Sequence, residues 1–182
     1  NYFDYLKFEN QWYNQYALDW ISQISFFHKY FNNRIIFVTG STGVGKSTQV
    51  PKLLLYSSHI FDFKQNASLI CTQPRIPPTE TVSQRISKEM GAPIYYLNNN
   101  NVKIHSKNNS VQYKHGNGEH ISKNNKLLNM KFVTDGLLLE QIKKNPILKQ
   151  IINTEGEKMF STNNEYDIII VDESHEHNLN MD

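Results

Sequence analysis

The sequence holds a single cysteine, Cys71, so no disulfide can form within the chain, and this usage fits a reducing compartment. No apolar run is long enough to span a bilayer, and the first residues carry no signal-peptide pattern. The expected location is therefore intracellular, neither secreted nor membrane-bound. A starting methionine is also missing, which suggests an excised domain. Acidic residues are scarce in the middle and basic residues at the end. Residues 98–131 carry six lysines against Glu119 alone, and residues 151–182 carry eight acidic residues against Lys158 alone. A net charge of only +2 hides this asymmetry. A basic middle suits a polyanion and an acidic end suits Mg²⁺, although solvated loops carry such charge as well.

What is present centres on Gly40-Ser41-Thr42-Gly43-Val44-Gly45-Lys46-Ser47-Thr48, which fits G-x-x-x-x-G-K-[ST]. Glycines let backbone N–H groups turn inward around phosphate oxygens without a Cβ clash. Lys46 can then reach the β- and γ-phosphates, and the Ser47 hydroxyl can ligate Mg²⁺. The preceding run Arg34 to Thr39 is apolar and β-branched, and predicts a strand feeding the loop. Thr48 to Tyr56 predicts a helix whose positive dipole end faces the anion, with Pro51 in or near its first turn.

The 182 residues suffice for one sizeable α/β domain. Tyr13, Tyr16, Trp20, Ile24, Phe27 and Phe31 have helical spacing and predict an aromatic stripe against the sheet, with base stacking by Trp12 or Trp20 as the alternative. Ala67 to Thr72 predicts a buried strand ending at Gln73-Pro74-Arg75, and Thr79 to Met90 a helix. Polar, asparagine-rich residues 97–110 read as a surface insertion, followed by a strand from Ser110 to Lys114. Lys131 to Thr134 predicts a strand, with Asp135 as N-cap of a helix from Gly136 to Lys144. Asn145-Pro146 predicts a further short helix through Ile152, and residues 153–165 a second polar loop insertion. Tyr166 to Val171 predicts a strand that delivers Asp172-Glu173-Ser174-His175-Glu176-His177. Strands alternating with helices imply a mainly parallel sheet flanked by helices, with ligands at the strand C-termini.

An acidic site far downstream of Lys46 is what an NTPase needs. Asp172 and Glu173 can hold Mg²⁺ opposite Ser47, and Glu173 is also placed to orient and deprotonate the attacking water. His175 can hydrogen-bond near the γ-phosphate. A zinc site using His175, His177 and the acids, or an ordinary acidic loop, are the competing readings.

Taken in order, Gly40 to Thr48, Thr72-Gln73-Pro74-Arg75, Thr134-Asp135-Gly136 and Asp172-Glu173-Ser174-His175 resemble motifs I, Ia, Ib and II of the superfamily 2 DEAH/DExH-box helicases. Gly43 to Leu55 and His175-Glu176-His177 are similar in wording to the poxvirus nucleoside triphosphate phosphohydrolase II helicases. The resemblance implies an α/β RecA-like P-loop domain over residues 34–182, the first of two, preceded by a helical lead-in over residues 1–33. It implies ATP or other NTPs, with Mg²⁺, as cofactors. Single-stranded or partly duplex nucleic acid, RNA rather than DNA, and a second RecA domain of the same parent chain are the implied partners. Gln73, Pro74, Arg75, Thr134, Asp135 and Gly136 would lie along the nucleic-acid track. Arg75 suits a phosphate fork, and a helix N-terminus at Asp135-Gly136 offers backbone N–H groups to a phosphate. The implied function is ATP-driven translocation and unwinding. A protein-remodelling NTPase or switch, a DNA translocase, and a nucleic-acid-binding module without hydrolysis are the alternatives. The 22 asparagines hint at an AT-rich viral genome, which would place the protein in host cytoplasm or virion.

Overall fold

Parallel strands pair where neighbouring elements can cover them, and here four strands run parallel within one sheet. The computed structural model describes residues 20–41, 43–60, 67–90, 110–116, 118–120, 129–154, 157–174 and 176. In chain order the elements are α1 (Trp20–Asn32), α2 (Lys46–Ile60), β1 (Ser68–Gln73), α3 (Ile76–Met90), β2 (Ser110–His115), β3 (Gly118–His120), β4 (Asn129–Thr134), α4 (Asp135–Lys144), β5 (Lys149–Thr154), β6 (Glu157–Asn164) and β7 (Ile168–Val171). The main sheet has the order β3-β2-β4-β1-β7, parallel throughout except for β3, which returns antiparallel along β2.

Because strand side chains alternate between faces, β1 feeds two cores. Leu69 and Cys71 join Met130, Phe132, Val111 and Tyr113 beneath α2 and α3, where Val50, Leu54, Leu55, Ile86 and Met90 complete the layer. Ile70 and Val133 face the other way, against Leu138 of α4 and Tyr166. The arrangement is mixed α/β with a mainly parallel sheet flanked by helices, as in a RecA-like domain. Among the described residues no helix is long and apolar enough to cross a membrane.

Several local expectations are corrected. Residues 34–39 form no strand: Ile35, Phe37 and Val38 are exposed, and no described strand runs beside them. β-propensity needs a pairing neighbour before it becomes a strand. On α1, Phe26 and Tyr30 meet the core while Ile24 and Phe31 face out. Aromatic residues occur in adjacent pairs there, Phe26-Phe27 and Tyr30-Phe31, so periodicity fits two faces equally well. Trp12, Tyr13 and Tyr16 lie outside the described residues. Pro51 sits inside α2 rather than in its first turn, and it is buried.

Asn145 ends a helix and does not start one. Its backbone N–H caps α4 by donating to the Gln141 carbonyl, and its side-chain amide donates to the Lys149 carbonyl at 2.7 Å. Leu148, at φ +45°, then turns the chain into β5, which pairs antiparallel with β6. The expected short helix and second loop insertion are therefore the two arms of a hairpin. Asp135 is the first residue of α4 and not its cap; Thr134, still in β4, occupies the cap position without a side-chain capping bond. An acidic first-turn residue nonetheless complements the helix dipole. The expected insertion at 97–110 falls outside the described residues apart from Ser110, which opens β2.

Candidate nucleotide site and nucleic-acid edge

Gly43 and Gly45 both have φ near +85°, in the left-handed region that side chains disfavour, and this curls the loop ahead of α2. A Cβ on Gly45 would also come within 3.3 Å of the Gln49 side chain. The Gly45 carbonyl accepts from the Thr48 and Gln49 amides and from the Thr48 hydroxyl, which starts the helix tightly at the loop. Lys46, Ser47 and Thr48 thus occupy the first turn of α2, where backbone N–H groups and the dipole favour an anion. The Lys46 ammonium donates back to the Gly40 carbonyl at 2.7 Å and the Ser41 carbonyl at 2.9 Å, lying across the loop. Ser41 and Val44 are exposed, and Thr42 lies outside the described residues.

The acidic motif is set by sheet register. Thr72 of β1 lies opposite Val171 of β7, so the residues that follow each strand emerge together at the C-terminal edge. There the Gln73 side-chain amide donates to Asp172 Oδ2 at 2.7 Å, and the Glu173 amide donates to Asp172 Oδ1 at 3.0 Å. Glu173 itself has φ +51°, a strained conformation for a residue with a Cβ and a frequent mark of functional turns. The Glu176 amide closes this turn on the Glu173 carbonyl. His175 and His177 lie outside the described residues. Each Asp172 oxygen accepts one hydrogen bond and retains a lone pair, so the carboxylate can still offer hard oxygen donors of the kind Mg²⁺ takes.

The nucleic-acid residues divide. Arg75 is exposed and its guanidinium lies 3.4 Å from the Glu176 carboxylate. Pro74, Thr134 and Gly136 are half-buried at the same edge of the sheet. Gln73 and Asp135 are buried, at 2% and 5% exposure. Gln73, expected on the track, therefore turns its side chain inward to the acidic motif, on the same face of β1 as Cys71. Cys71 is buried beneath it, and burial with the nearby Asp172 charge pushes its thiol far up, leaving it unreactive.

Sequence reasoning missed a charged cluster behind the loop. Lys52 of α2 pairs with Glu89 of α3, and Glu89 also accepts from Arg85 at 2.7 Å and from the Gln49 amide at 3.3 Å. The signal was faintly present: Gln49, Lys52 and Lys88-Glu89 sit on helices otherwise read only for their apolar faces.

No family model matches the chain. Similar proteins are nonetheless plain. A protein of Acanthamoeba polyphaga mimivirus named as an ATP-dependent RNA helicase is 47% identical over 193 aligned positions that cover all of this chain. A Schizosaccharomyces pombe protein named as a pre-mRNA-splicing factor ATP-dependent RNA helicase is 33% identical over 82% of the chain. A DExH-box ATP-dependent RNA helicase of Arabidopsis thaliana is 32% identical over 83% of it. The chain spans only 11%, 18% and 9% of the length of these three relatives. Its homologues are DExH-box ATP-dependent RNA helicases, and the chain belongs to the superfamily 2 DEAH/DExH-box family.

Proposed function

We propose that this chain is the ATP-binding part of an ATP-dependent RNA helicase, whose parent protein couples NTP hydrolysis to movement along RNA and to strand separation. What supports this reading is that one chain holds both a glycine cradle at the N-terminus of α2 and an acidic turn at the end of β7, and that its relatives are named RNA helicases. On nucleotide binding, Lys46 exchanges its two loop carbonyls for β- and γ-phosphate oxygens, and the first-turn N–H groups of α2 complete the cradle. Ser47 and Asp172 are the residues that would hold Mg²⁺, which when bound neutralises charge on the phosphates. Glu173 orients and deprotonates the attacking water, and His175 hydrogen-bonds near the γ-phosphate.

Arg75 is the phosphate contact of the RNA track, flanked by Pro74, Thr134 and Gly136. A second RecA domain of the parent chain supplies the remaining half of the catalytic cleft. Intracellular action, in host cytoplasm or virion, follows if the source is viral. The test is steady-state ATPase and duplex unwinding by the full-length protein with single-stranded RNA, single-stranded DNA and neither. Stimulation by RNA with ATP-dependent unwinding is expected; hydrolysis indifferent to any nucleic acid would overturn the proposal.

A further inference from the structure

We propose that Gln73 is a positioning residue for hydrolysis: its buried amide fixes the orientation of the Asp172 carboxylate, and the adjoining Arg75 ties that orientation to phosphate at the RNA edge. The inference rests on the hydrolytic function proposed above and reassigns Gln73 from the track to the metal side of the site.

Gln73 ends β1, a strand hydrogen-bonded on both sides, so its backbone is held rigidly by the sheet. Its side chain is buried, and its amide nitrogen reaches Asp172 Oδ2 at 2.7 Å, across 99 residues of sequence. A carboxylate that binds a hard cation must present a particular oxygen in a particular plane. Asp172 follows the last residue of an edge strand and begins a turn, so its backbone alone does not fix that plane. Two donors do so: the Glu173 amide on Oδ1 and Gln73 on Oδ2. Outer partners of this kind commonly change metal affinity or activity by about 10- to 100-fold.

Two residues along, Arg75 makes the second link between the same two segments, its guanidinium lying 3.4 Å from Glu176. Glu176 closes the turn that contains Glu173. A phosphate of RNA at Arg75 competes with Glu176 for the same guanidinium, and an exposed ion pair is weak enough to be exchanged. RNA binding therefore loosens one tether of the acidic turn while Gln73 keeps the other. The tripeptide Gln73-Pro74-Arg75 thus touches both sites at once, through a side chain that faces in and one that faces out.

The experiment uses the full-length protein and four measurements: RNA affinity without nucleotide, the Mg²⁺ half-saturation for binding a fluorescent ATP analogue, RNA-stimulated kcat, and thermal unfolding. Gln73→Met keeps the side-chain length but removes the donor. It is expected to leave RNA affinity within about twofold while raising the Mg²⁺ half-saturation and lowering kcat by roughly tenfold each. Glu176→Gln is expected to tighten RNA binding about two- to fivefold and to reduce the stimulation that RNA gives. A double-mutant cycle of Gln73→Met with Asp172→Asn in thermal unfolding should be non-additive, which reports the contact without any turnover. If Gln73→Met weakens RNA binding with its Mg²⁺ response unchanged, Gln73 belongs to the track and the inference is overturned. A wild-type protein that hydrolyses no ATP overturns the proposed function and this inference together. Wild-type hydrolysis with Gln73→Met indistinguishable from it overturns this inference alone.

Discussion

Lys52 of α2 and Glu89 of α3 form an ion pair closed off from solvent, with side-chain exposures of 0% and 4%. The pair bolts the helix that begins at the phosphate cradle to the helix that follows Arg75. Burial draws the Lys52 ammonium below its ordinary range, against the opposing pull of Glu89. Burial pushes the Glu89 carboxyl up, but hydrogen bonds from Lys52 and Arg85 outweigh it and hold the group below the usual carboxylate range.

Breaking such a pair on one side leaves a charge stranded in a place without water. Glu89→Ala is therefore expected to cost about 3–5 kcal/mol, whereas Lys52→Met with Glu89→Leu should recover most of that loss. Chemical denaturation at neutral pH checks both. An additive double variant, as unstable as the two single variants together, would show that the charges do not meet.

The same pair sets a pH dependence. Because Glu89 titrates lower in the folded state than its ordinary value of 4.5, its contribution is fully present above that value. It is lost as the pH falls through the lower folded value. Unfolding free energy should fall below about pH 4.5, and Glu89→Gln should flatten that part of the curve. Lys52 acts in the alkaline range: its folded value is depressed, so stability rises as the pH climbs from that value toward 10.5. A denaturation series across pH 3–7 reads the acid limb; identical slopes in the two proteins would remove Glu89 as its source.

Nucleotide affinity should depend on Lys46, whose ammonium lies across the loop on the Gly40 and Ser41 carbonyls. Lys46→Ala deletes a charge-assisted contact to phosphate and should weaken binding by roughly 1.5–3 kcal/mol, or about ten- to a hundredfold. Titration with a fluorescent ADP analogue measures it. Equal affinities would place the phosphates elsewhere.

Glu173→Gln separates chemistry from binding. On the proposed role of Glu173 as the base, hydrolysis by the full-length protein should slow about 10²-fold while nucleotide binding is kept. A collapse of binding instead would make Glu173 a structural or metal residue. Its φ of +51° belongs to the backbone, so the glutamine variant carries the same strain and isolates the side-chain effect.

Much of this architecture was legible in the sequence, for identifiable reasons. Leu69-Ile70-Cys71 is a continuous apolar run that suits a strand covered on both faces, and in Ile168-Ile169-Ile170 the outer two pack on the core while Ile169 is exposed. The cradle was legible because its glycines have no alternative conformational partners at φ near +85°. What was not legible depended on tertiary pairing. Residues 34–39 have the composition of a strand but no neighbour among the described strands. Asn145-Pro146 reads as a helix start from its proline, yet the Asn145 side chain had already taken the Lys149 carbonyl. Gln73 was read by its place in a motif, and only the register Thr72 opposite Val171 reveals that its amide belongs to Asp172.

The chain expressed alone should bind nucleotide but scarcely hydrolyse it. A P-loop domain of this kind offers a cradle, oxygen ligands and a base; the charge that develops on the transferring phosphoryl group needs a further cation close to it. The sequence has three arginines, Arg34, Arg75 and Arg85. Arg75 is engaged with Glu176 at the C-terminal edge of the sheet, and Arg85 with Glu89 behind the loop. Arg34 stands six residues ahead of Gly40, at the far end of the run that leads into the cradle. Lys46 has its proposed task in the cradle, on the phosphates that the loop would hold. The proposed source is the second RecA domain of the parent, reaching across the cleft with arginines. Such a residue is worth about 10³–10⁵ in rate, so residues 1–182 should turn over ATP near the uncatalysed background, and RNA should bind weakly with a steep salt dependence. A steady-state ATPase assay of this chain, with and without single-stranded RNA, decides the matter. Turnover at ordinary helicase rates would mean that one domain, or a pair of identical ones, already contains the missing cation.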